Sequence, residues 1–215
     1  MGQGVPVAGL RVQTGAGHWE VYTNNPVLRP GAKGEWDAGA LGSMTVLKVG
    51  AVCHMYYEAW GVRSSKADNW SEFTSLQIGH ATSSDGIHWQ KDPANPVLPK
   101  GTGADWDRDG TWDPFVLHEN GVFKYFCKYV PRNCKGCWTG YATSQDGLHW
   151  QVQNPRVLLG HDAEVVKMAD NLYFLYYGPD GYYDQKDCDI RMAVFKGTLS
   201  SLASPKIDRE PPTKP

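Results

Sequence analysis

Three acids in this chain stand just ahead of apolar runs. They are Asp37 in Glu35-Trp36-Asp37, Asp113 in Trp112-Asp113-Pro114-Phe115, and Glu164 in His161-Asp162-Ala163-Glu164. Carboxyl groups gathered from distant parts of a chain can divide their work, one held protonated as an acid and another ionised as a base. Asp113 and Glu164 stand out because they fall where the surrounding pattern is otherwise apolar or small. A plain alternative for Asp113 is a turn residue before proline. His161 opens the same run as Glu164, where a lone histidine is most simply a hydrogen-bonding core residue. Glu58 and Lys128 end matching runs with opposite charges and are candidates to line a cleft, as is Arg191. Trp60, Trp112 and Trp138 lie near run ends; such rings can stack on a flat ligand face or simply pack at the surface.

These acids are far apart in sequence, so a repeated framework has to bring them together. Ala81-Thr-Ser-Ser-Asp-Gly-Ile-His-Trp89 returns as Ala142-Thr-Ser-Gln-Asp-Gly-Leu-His-Trp150. Each copy runs into a related tail, Asn95-Pro-Val-Leu98 and Asn154-Pro-Arg-Val-Leu158, and a partial copy of this tail covers residues 18–28. Trp36-Asp37 and Trp106-Asp107 preface two copies of a second block, and a third copy begins at Glu164 without that preface. Residues that recur (Trp19, Trp36, Trp89, Trp106, Trp150, Asp85, Asp146) read as builders of the framework.

Each unit reads as strands. Ser43–Val49 and Val52–Trp60 are β-branched and aromatic runs separated by Gly50-Ala51; Asn120-Gly121 and Asn171 mark equivalent hairpin turns further along. Asp85-Gly86 and Asp146-Gly147 supply turn chemistry at a third junction. No stretch carries a sustained helical period, so the chain is expected to be all-β, a β-propeller built of four-stranded blades. About three blades are expected, at residues 33–90, 103–151 and 161–204, with the last strand of a preceding blade at 18–28 and a polar, Pro-rich tail at 205–215. Closing a propeller takes about four to eight blades, because closure removes exposed strand edges. The count therefore predicts a missing segment or a partner chain that completes the ring. In a propeller the first strand of every blade lines the central channel, which is where Asp113, Glu164 and the Asp37 region would converge.

Composition narrows the remaining classes. A net charge of −2 argues against a nucleic-acid surface, and no apolar run reaches transmembrane length. The first residues lack a signal peptide's charged start and apolar core, so the expected location is secreted or periplasmic for a fragment and cytoplasmic otherwise. The five cysteines include one Cys134-Lys-Gly-Cys137 pair, and a zinc site ordinarily draws on two such pairs. No metal site is assigned.

Taken with the N-P-V-L, W-D and A-T-S-x-D-G-x-H-W motifs, the chain resembles the five-bladed β-propeller glycosidases, the superfamily that includes glycoside hydrolase families 43 and 32. The resemblance implies a catalytic Asp in the first blade, an Asp-Pro in the second and a Glu in the third. Asp113-Pro114 and Glu164 match the latter two. Aligning Trp36 with Trp106 puts Ser43 opposite Asp113, leaving Asp37 as the first-blade candidate. By this resemblance Glu164 would be the general acid, Asp113 the group that raises its pKa and orients substrate, and Asp37 the base. Trp60, Trp112, Trp138, Glu58, Arg191 and His161 would bind substrate. The expected reaction is hydrolysis of a glycosidic bond in an oligo- or polysaccharide, with inversion. No cofactor would be required, with room for a structural calcium ion on the axis. The competing expectation is a non-catalytic carbohydrate-binding or scaffolding propeller, favoured by Ser43.

Overall fold

In the computed structural model, residues 21–61, 76–99, 110–129, 137–179 and 189–203 are described. Trp19, Trp106, Cys134 and the expected tail at 205–215 lie outside them. Strands β1 (Ala40–Val49), β2 (Val52–Trp60), β3 (Gln77–Ser83) and β4 (Gln90–Lys91) form one antiparallel sheet in that order. Strands β5 (Thr111–Glu119), β6 (Val122–Tyr129), β7 (Trp138–Ser144) and β8 (Gln151–Leu159) form a second, with the same order. A third sheet holds β9 (His161–Ala169), β10 (Leu172–Gly178) and β11 (Arg191–Lys196), followed by a short 3-10 turn at Leu199–Ala203. Among the described residues there is no α-helix, and hence none long and apolar enough to cross a membrane.

The turns are those that the sequence chemistry demands. Gly50, Asn120-Gly121 and Asn171 take positive φ between the first two strands of the three sheets, the conformation in which glycine and asparagine are least strained. At the third junction, Asp85 Oδ1 accepts hydrogen bonds from the Ile87 and His88 amides at 2.8 Å, while Ser83 Oγ accepts from Gly86 N at 2.9 Å. Asp146 and Ser144 repeat this arrangement. Trp150 packs edge-on against Tyr56 and tilted against Tyr125, so this recurring tryptophan helps to fasten the first sheet to the second.

The sheets stack face to face as successive blades, with β1 against β5 and β5 against β9. Tyr56 and Ile78 of the first sheet meet Val116, Phe123 and Tyr125 of the second in one buried cluster. Phe126 and Tyr141 of the second meet Val165, Tyr173 and Leu175 of the third in another. Period-two alternation lets β5, β6 and β7 of the middle sheet feed both cores.

Two boundaries differ from expectation. Residues 21–28 form turns and bends rather than a strand, and 18–20 lie outside the described residues. Leu28 of this segment and Trp36 beyond it pack over Met55, Tyr57, Ala59 and Ala81, covering the first sheet's outer face. The Asn-Pro tails belong to the sheets rather than following them. β8 runs through Asn154-Pro155 to Leu159, and Leu98 bridges back to Ile78 beyond a break in β4. At that break the Asn95 side chain substitutes for the ladder, accepting from His80 N at 2.7 Å and donating to His80 O at 2.9 Å.

Candidate active site

A β-bulge recurs near the start of the first strand of every sheet. The register jumps between Leu41 and Met44 in β1, between Trp112 and Phe115 in β5, and between His161 and Glu164 in β9, opposite Gly178 and Tyr176. Superposing these registers makes Gly42, Asp113 and Asp162 equivalent. Asp113 and Asp162 both adopt positive φ, 49° and 53°, a strained choice for a residue with a side chain. A bulge turns the strand locally and re-aims one side chain out of the alternating pattern. Here it aims two aspartates at each other.

Their carboxyl groups are in hydrogen-bond contact. Ser43 Oγ donates to Asp113 Oδ1 at 3.3 Å, the Asp113 amide donates to Glu58 Oε2 at 3.0 Å, and Lys128 Nζ lies 3.6 Å from Asp113 Oδ2. Lys128 also sits 4.8 Å above the Trp112 ring. His161 Nδ1 is 2.8 Å from Asp162 Oδ2. A cavity of about 260 Å³ opens onto this cluster, lined by Ser43, Asp113, Asp162 and Glu164 among others.

The environments pull the acids apart. Burial, then the hydrogen bond and charge of Asp162, push the Asp113 carboxyl up to about 7; Lys128 opposes the rise and Glu58 adds to it. For Asp162, burial acts upward but is outweighed by the hydrogen bonds to Asp113 and His161, so its carboxyl is held below the usual range. Burial raises Glu164. The cavity thus combines a carboxyl that keeps its proton close to neutrality with a carboxylate that does not, the division that acid–base chemistry uses.

The structure gathers Asp113 and Glu164 and leaves out Asp37. Asp37 is 2% exposed and forms an ion pair with Lys91 on β4, the outer strand of its sheet, at 2.5 Å. It is therefore held at the rim of the blade instead of reaching the channel. The alignment through Trp36 is also displaced by one residue. Gly42, not Ser43, takes the place of Asp113, and a side chain there would collide with Glu58 Oε1. Glu58 thus reaches from β2 into the space that a first-blade bulge acid would fill. Of the substrate-binding candidates, Glu58 and His161 touch the acid cluster and Trp112 adjoins it through Lys128. Trp60 is buried at 8% exposure, without an open face for stacking. Trp138 lies under the Arg156 guanidinium at 5.5 Å, and Arg191 pairs with Asp189 at 2.9 Å; neither lines the cavity. Asp162 is the member of the acid cluster that the sequence motifs pass over. Reading Trp112-Asp-Pro-Phe-Val against His161-Asp-Ala-Glu-Val is the signal that finds it.

No family profile matches the chain. Two uncharacterised Mycobacterium tuberculosis proteins, from strains H37Rv and CDC 1551, are each 23% identical over 184 residues, and the match spans 59% of this chain. The same match spans about 59% of the length of these curated relatives. Solved structures with the same fold include glycoside hydrolases. A family 117 enzyme from Zobellia galactanivorans superposes with a TM-score of 0.60 at 14% identity, covering 80% of this chain and 59% of its own. A glycosyl hydrolase from Bacteroides ovatus gives 0.55 at 18%, covering 66% and 44%. A family 130 glycoside hydrolase that targets β-1,2 mannosidic linkages in Candida mannan gives 0.53 at 19%, covering 66% and 45%. The chain has the fold of the β-propeller glycoside hydrolases over about half of their length.

Proposed function

We propose that the protein is a glycoside hydrolase acting on an oligo- or polysaccharide through its axial carboxylates. The observation that supports this most strongly is the convergence of Asp113, Asp162 and Glu164 on one cavity, with opposite pKa shifts at Asp113 and Asp162. In this reading Glu164, raised by burial, protonates the leaving oxygen. Asp162, ionised, accepts a proton from the attacking water, taking the part expected of Asp37. Asp113 holds the local proton and orients a sugar hydroxyl. Asp162 and Glu164 lie in and just beyond the β9 bulge and line the same cavity, as an acid and a base acting on one substrate require. No cofactor is assigned. Among the described residues no group of three or more His, Cys, Asp or Glu is arranged to hold a metal ion.

The same proposal includes a five-bladed ring completed by a further segment or a partner chain. Its support is the open face of the third sheet, where Val166, Met168, Tyr176, Met192 and Val194 are all exposed. The second reading, a carbohydrate-binding propeller without turnover, draws on Gly42, which leaves the first-sheet bulge without an acid. Hydrolysis of a panel of aryl glycosides separates the two. The enzyme reading expects turnover that falls about 100-fold or more in Glu164→Gln and Asp162→Asn. Binding without turnover in the wild type would establish the second reading instead.

A further inference from the structure

A larger cavity, about 580 Å³, lies at the opposite end of the seam between the second and third sheets. It gathers the Glu119 end of β5, whereas the acid cluster sits at the Asp113 end, about 20 Å away at the usual rise of a strand. We infer that this cavity is a second binding site, for a neutral polyhydroxylated ligand of mono- or disaccharide size.

Charge and hydrogen-bonding capacity both point to that class. The charged side chains lining the cavity are two acids, Glu119 and Asp170, and two bases, Lys124 and Lys167, which cancel. They are already committed to one another. Glu119 accepts from Lys124 at 2.5 Å, from Lys167 at 2.8 Å and from the Tyr173 hydroxyl at 2.9 Å, while Lys167 also reaches Asp170 at 3.2 Å. Neither an anion nor a cation finds an unbalanced partner there.

The neutral groups are the ones left over. The Asn120, Gln145 and Asn171 amides line the cavity and are exposed there. Tyr141 is 1% exposed, lines the same cavity, and its hydroxyl has no hydrogen-bond partner. A buried hydroxyl left unpaired costs about 1–3 kcal/mol, which a ligand hydroxyl meeting Tyr141 would recover. Amides offering both donors and acceptors, together with a buried hydroxyl, match the alternating hydroxyls of a sugar, and the volume falls within the usual range of small-molecule sites. The turn geometry accounts for asparagine at positions 120 and 171, but not for Gln145 or Tyr141.

Calorimetric and saturation-transfer NMR titration of the full chain with neutral mono- and disaccharides, and with glucose 6-phosphate as the charged control, tests this. The expected result is binding of at least one neutral sugar that weakens about 3–10-fold in Tyr141→Phe, as loss of one hydrogen bond implies, and also weakens in Gln145→Ala. Glu164→Gln should leave this binding intact, and Tyr141→Phe should leave any aryl glycoside hydrolysis intact. No binding across the panel, preference for the phosphate, or binding lost in Glu164→Gln and unchanged in Tyr141→Phe would each overturn the second site without bearing on the acid cluster.

Discussion

Replacing Asp113 by asparagine isolates the proton held at the channel. Asparagine has the same shape and tolerates the 49° φ of this position, but it cannot ionise. In the wild type the Asp113 carboxyl moves from 3.8 to about 7, chiefly through burial and then through Asp162. The unfolded chain releases this proton near pH 3.8, whereas the folded chain keeps it until about pH 7. Across that window the folded state binds more protons, so stability falls as pH rises, by at most about 1.4 kcal/mol per unit. Asp162 has the opposite sign: its lowered pKa stabilises the fold above the usual aspartate value and is lost in more acidic solution, below this window. Lys128 and the 23% exposure of Asp113 moderate the effect. Between pH 5 and pH 7 the wild type should therefore lose about 1–3 kcal/mol that Asp113→Asn does not lose. Urea unfolding at half-unit pH steps, followed by tryptophan fluorescence, reads this as a change of about 0.5–1.5 M in the gap between the two midpoints. Parallel pH profiles for the two proteins would refute the raised pKa and the acid pair built on it.

Asp37→Asn should lower stability by about 2–3 kcal/mol, because it strips a buried partner from the half-buried Lys91, yet leave the rate of aryl glycoside hydrolysis within about twofold. A drop in turnover with stability unchanged would return Asp37 to the catalytic set. The two Asp-Gly hairpins offer a matched pair. Gly86 and Gly147 have φ of 77° and 78°, but a side chain at Gly86 meets open space whereas one at Gly147 strikes the Tyr56 hydroxyl. Gly86→Ala should cost about 1–2 kcal/mol from backbone strain alone, and Gly147→Ala distinctly more, since Tyr56 also donates to Gly147 O at 3.1 Å. Equal losses in thermal or urea unfolding would contradict the packing at that seam.

The blade architecture was legible because its signals are local. Asn120-Gly121 and Asp146-Gly147 set turns through their own backbone preferences, and period-two runs such as Val122–Tyr129 need no distant partner to be recognised. Segment 18–28 shares the tail motif of a blade edge, and its described part, residues 21–28, forms turns and bends, because a motif read locally does not supply the neighbouring strand that a β-strand pairs with. Asp37 misled differently. Its Trp-Asp motif was readable, but whether the carboxylate faces the channel or the rim depends on Lys91, which comes from the far edge of the sheet.

Spacing ahead of the strands explains why the site itself was only half legible. Leu41 follows Trp36 by five residues whereas Trp112, its equivalent at the shared bulge, follows Trp106 by six, so an alignment anchored on the two tryptophans slips by one position where the acids lie, setting Ser43 against Asp113. In the folded sheet the partner strand restores the register, since Leu41 with Ala59 and Met44 with Tyr57 match Trp112 with Lys128 and Phe115 with Phe126. The same register carries Asp113 onto Asp162 in the third sheet. Two aspartates at one repeated, strained backbone position then stop being a turn residue and a neighbour of Glu164. They become a pair whose carboxyls are shifted in opposite directions, and the proposed acid–base role rests on that placement more than on the number of acids.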